Sequence, residues 1–66
     1  MAQIDGVVSF VELKRLAVSL LPRSSTLRSL ILSEPDYLPR QEGLIKITVY
    51  AKLLYQEFTS RVHLLP

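Results

Sequence analysis

The stretch that most constrains this chain is Pro39–Val62, PRQEGLIKITVYAKLLYQEFTSRV, because it is apolar on more than one side. No Gly, Pro or Asn interrupts the sequence between Gly43 and Pro66. Read at 3.6 residues per turn, Leu44, Ile47, Ala51, Leu54, Tyr55, Phe58 and Val62 fall on one face. Read as a strand, Ile45, Ile47, Val49, Ala51 and Leu53 alternate with Lys46, Thr48, Tyr50 and Lys52. The alternation fails at Leu53-Leu54-Tyr55, whereas the helical stripe continues to Phe58 and Val62. A helix over 39–62 is therefore the reading, with an α+β arrangement carrying a strand at 45–52 as the alternative. Gly43 is a blemish in that helix, costing about 1 kcal/mol relative to Ala.

Two shorter helices precede it. Ser9-Phe10-Val11-Glu12 has the form of a capping box opening a helix over about 9–21, with Phe10, Leu13, Ala17, Leu20 and Leu21 on its apolar stripe. Pro22 ends it, since the residue before a proline is biased away from helical geometry. Ser24, Ser25 and Thr26 start a second helix over about 25–33, with Leu27, Leu30 and Ile31 on one side. Glu34-Pro35-Asp36 ends it, Asp36 is a candidate N-cap for the third helix, and Pro39 suits its first turn. Residues 1–8 have no helical period and read as an extended arm or a disordered lead, with Asp5-Gly6 as a turn. The fold class is all-α: one small domain over 1–66, with the long C-terminal helix central.

A chain of 66 residues buries only about 60% of its unfolded surface, so it needs good packing or a partner. It has no cysteine, which removes disulfides and thiolate metal sites and fits a reducing, cytoplasmic setting. With 48% hydrophobic residues, it is rich in apolar side chains for a small monomer. The two short helices cover one stripe of the long helix and leave a second. Ile45, Val49 and Leu53, with Tyr50 beside them, form that second stripe and are the candidate interface. A homo-oligomer or a larger protein partner is the expected consequence, and an isologous dimer is the commonest closed form.

Catalysis has little to draw on. His63 is the only histidine, Glu34 and Asp36 flank a proline in a turn, and Gly6 and Gly43 are isolated. No catalytic residue, cofactor or metal ligand set is assigned, and the chain is read as a non-enzyme. No apolar run reaches the ~18 residues a membrane span needs, and the first residues lack a signal-peptide pattern. The net charge of +2 is mild, but Lys14, Arg15, Arg23 and Arg28 share a window free of acids. Those four residues carry the alternative function, a module contacting phosphate or nucleic acid through the 14–28 segment. The first reading is a small interaction or assembly module that self-associates through its C-terminal helix.

Overall fold

A computed structural model describes residues 6–63, excluding the side chain of His63. Element order is β1 (Val7–Ser9), α1 (Val11–Leu20), α2 (Thr26–Ser33), β2 (Tyr37–Pro39) and α3 (Arg40–His63). The described chain is thus mostly helical, with three helices close to their expected bounds. Ile45 to Lys52 is helix throughout, so the strand alternative at 45–52 is excluded.

The all-α assignment needs one correction, because β1 and β2 pair antiparallel. Val7 stands opposite Pro39, Val8 opposite Leu38 and Ser9 opposite Tyr37. Beyond these pairs Phe10 N–H donates to Asp36 O at 2.7 Å, and Arg40 N–H donates to Gly6 O at 2.8 Å. Since hydrogen-bonded pairs alternate along an antiparallel ladder, Val7–Pro39 is a non-bonded pair. Proline therefore sits where its missing N–H costs no ladder bond. Val8 and Leu38 turn inward, and the residues flanking them turn out. Part of the expected arm is thus a strand, and Gly6 enters it with φ of 91°, a backbone conformation that favours glycine. Residues 1–5 and 64–66 lie outside the described chain.

The ladder also displaces two expected caps. The capping box at Ser9 and Glu12 does not form: Phe10 is the N-cap of α1 and has no side-chain cap bond. Ser9 Oγ instead accepts from Val11 N–H, and Glu12 pairs with Arg15. Asp36 does not cap α3; its carbonyl serves Phe10 and its carboxylate holds Lys14 at 2.8 Å. At α2 the expected cap is present, with Ser25 Oγ accepting from Arg28 N–H at 3.1 Å. Both short helices stop on an extended residue before proline, Leu21 before Pro22 and Glu34 before Pro35.

The core consists of Phe10, Leu13, Ala17, Leu21, Leu27, Ile31, Leu38 and Leu54, with Val8, Leu20, Ile47 and Tyr50 packed against it. Phe10 is fully buried and meets the Tyr50 ring edge-on, with centroids 6.2 Å apart. From α3 the inward line is Gly43, Ile47, Tyr50 and Leu54. Leu44 and Ala51, assigned by periodicity to hold the shorter helices, are exposed. The real contact line passes between the two apolar stripes and leaves part of each uncovered.

Candidate functional site

The site builds from the geometry of α3. At 100° per residue, Ile45, Val49 and Leu53 follow one another at i, i+4 and i+8, winding from the face opposite the buried line at Ile45 to its flank at Leu53. Their exposures are 66%, 50% and 42%, high for side chains of this size. Alongside runs α2, antiparallel to α3: Glu34 at its C-terminus meets Lys46 and Tyr50, while Leu27 lies near Glu57 and Ser60. Leu30 of α2 is 53% exposed and borders the same surface. Together Leu27, Leu30, Leu53, Gln56, Glu57 and Ser60 line an open groove of about 490 Å³. The stripe expected from sequence is thus exposed in three of its four members and is widened by α2. Leu30 was not separable beforehand, because in an eight-residue helix it lies at the edge of the Leu27–Ile31 stripe.

Tyr50, the fourth member, turns inward. Its ring packs on Phe10, and its hydroxyl donates to Glu34 Oε2 at 2.6 Å. Lys46 Nζ donates to the other Glu34 oxygen at 3.0 Å and also lies 3.3 Å from Glu42. The Tyr50 hydroxyl, and next the Lys46 ammonium, hold the Glu34 carboxyl below its usual range. The same carboxylate raises Tyr50, helped by burial, and is the chief cause that raises Lys46. This cluster ties the end of α2 to α3 and forms a polar rim at one end of the apolar surface. Glu57 and Arg61, 2.9 Å apart, form the rim at the other end. An apolar centre between polar rims is the usual anatomy of a protein interface.

A second exposed flank of α3 carries Leu44, Tyr55 and Val62.

The basic segment is dispersed by the fold. Lys14 is paired with Asp36, and Arg15 with Glu12 at 3.1 Å. These two cations border a groove with Val18, Ser19 and Leu32. Arg28 is half-buried and donates to Leu21 O at 3.3 Å, satisfying a carbonyl at the end of α1. Arg23 stands exposed in the turn between α1 and α2. The Ser25 hydroxyl beside it is buried and occupied as a helix cap. Lys14 and Arg15 therefore share one groove, while Arg23 and Arg28 lie toward the other end of the helical pair.

Among the described residues no three His, Asp or Glu side chains come together as a metal site, and no helix is long and apolar enough to cross a membrane. Comparison with protein-family models, curated proteins and solved structures finds no match to this chain.

Proposed function

We propose that the protein is a small non-catalytic assembly module that associates with itself through α3. Ile45, Val49 and Leu53 form the seam, and Leu30 of α2 extends it. The observation that carries this reading is the exposure of these four large aliphatic side chains on one surface between two charged rims. Burying apolar area contributes about 25 cal/mol per Å², which makes such a surface favourable to cover. Tyr50 is left out of the seam because its ring and hydroxyl are engaged within the chain.

A second contact, with a larger protein partner, is favoured by the opposite flank, where Tyr55 is 69% exposed. Substitution separates the two surfaces. Val49→Glu is expected to abolish self-association with helical content unchanged, and Tyr55→Ser to leave self-association intact. Size-exclusion chromatography with light scattering and a far-UV spectrum on each variant reads both effects. Retention of the assembly by Val49→Glu contradicts the proposed seam.

A further inference from the structure

We infer that two copies pair with their α3 helices antiparallel, Val49 of each copy against Leu53 of the other. This rests on the self-association proposed above and specifies its geometry. The occupant of the α3 surface is then a second copy of this chain, related by a two-fold axis centred beside Ala51 and Lys52.

The order of charges along α3 sets the direction. From the seam round to the side that borders α2, the charges in chain order are Glu42, Lys46, Glu57 and Arg61, acid–base followed by acid–base. All four keep some exposure while pairing within the chain, Lys46 with Glu42 and Glu34, and Arg61 with Glu57. A neighbour's opposite charge therefore joins an existing pair instead of meeting a free one. A two-fold axis that makes two helices antiparallel brings like flanks together. With Val49 opposite Leu53, Lys46 faces Glu57 of the second copy and Glu42 faces its Arg61. The same arrangement gives both opposite-charge pairs and the apolar centre in a single register. A parallel pair turns this flank toward Gln41, Thr48, Lys52 and Thr59 of its neighbour. Lys52 is the single charge among those residues, and it repels Lys46 where it attracts Glu57. The antiparallel arrangement also sets both α2 helices on one side of the seam, with the two Leu30 side chains facing across it. Each groove beside Leu53 is then covered by the other copy.

The test uses the full chain, whose lack of cysteine lets a single introduced thiol carry a spin label. Gln41 is exposed on the first turn of α3 and away from the seam. In labelled Gln41→Cys the antiparallel dimer separates the two labels by about 30 Å, from the rise of 1.5 Å per residue. A parallel dimer holds them about 15 Å apart, from the interaxial spacing of 8–10 Å and the lateral offset of the labels. A distance near the longer value supports the inference. The shorter value overturns the antiparallel pairing and leaves self-association standing. Absence of dipolar coupling in a sample that sediments as a monomer overturns both. As an independent check, Glu57→Lys is expected to weaken the dimer several-fold, with a loss that shrinks as salt rises. Unchanged dimer affinity at low salt contradicts the rim pairing.

Discussion

Val8 packs directly against Gly43, so closely that a Cβ placed on residue 43 would come within 2.8 Å of the Val8 Cβ. Strand β1 therefore rests on the first turns of α3, and the glycine is what admits it. Helix propensity alone makes Gly43→Ala stabilising by about 1 kcal/mol. Here the clash is with a Cβ close to the backbone, so strand and helix must separate, at a cost of about 1–3 kcal/mol. The expected balance is destabilisation, seen as a lower urea midpoint. A higher midpoint contradicts the close approach.

Tyr50→Phe keeps the ring against Phe10 and removes the hydroxyl from Glu34. The expected loss is about 1.5–3 kcal/mol at neutral pH, the range for a hydrogen bond to a charged acceptor.

The pH dependence has a defined sign. Glu34 is held below 4.5 in the folded chain, so its contribution is present above that value. It is lost as pH falls through 4.5 toward the lower folded pKa. Tyr50→Phe should flatten this acid limb in urea midpoints measured across pH 3–6, because it removes the main cause of the shift. At the alkaline end, Tyr50 is raised above 10.0 and Lys46 above 10.5, so both contributions are lost as pH rises past those values. An acid limb of equal slope in the variant shows that Glu34 draws its shift from elsewhere.

Core and seam should separate cleanly. Leu54 is buried, and Leu54→Ala is expected to cost about 2–5 kcal/mol of folding stability. Val49→Ala removes exposed atoms from the isolated chain, so its effect belongs to association. Urea unfolding at several protein concentrations distinguishes them, since only a seam variant changes the concentration dependence of the midpoint. Equal effects from both would place Val49 in the intrachain core.

The 14–28 cations provide a control on function. With Lys14, Arg15 and Arg28 engaged within the chain, retention on DNA or RNA at ~50 mM salt is expected to be negligible. Tight retention that falls steeply with salt would favour the nucleic-acid alternative.

Helix existence was legible because caps, prolines and periodicity agree: Ser25 starts α2, while Pro22 and Pro35 follow the short helices. The sheet was not, because Val7–Ser9 and Tyr37–Pro39 have three residues each, too few for alternation to register. Their pairing also joins distant parts of the chain. It takes the Phe10 N–H with it, which explains why the capping box at Ser9 misled. The exposed stripe at Ile45, Val49 and Leu53 was legible as one of two apolar faces of α3. Periodicity does not state which line of a helix is covered. Gly43 decides it by drawing Val8 onto the line that continues through Ile47, Tyr50 and Leu54. Tyr50 therefore left the seam for the core.

Sedimentation equilibrium of the unmodified chain at micromolar concentration tests self-association most directly. The expected result is a mass twice the 7.5 kDa of one chain, falling toward the monomer on dilution. A single species of 7.5 kDa throughout the concentration range contradicts it.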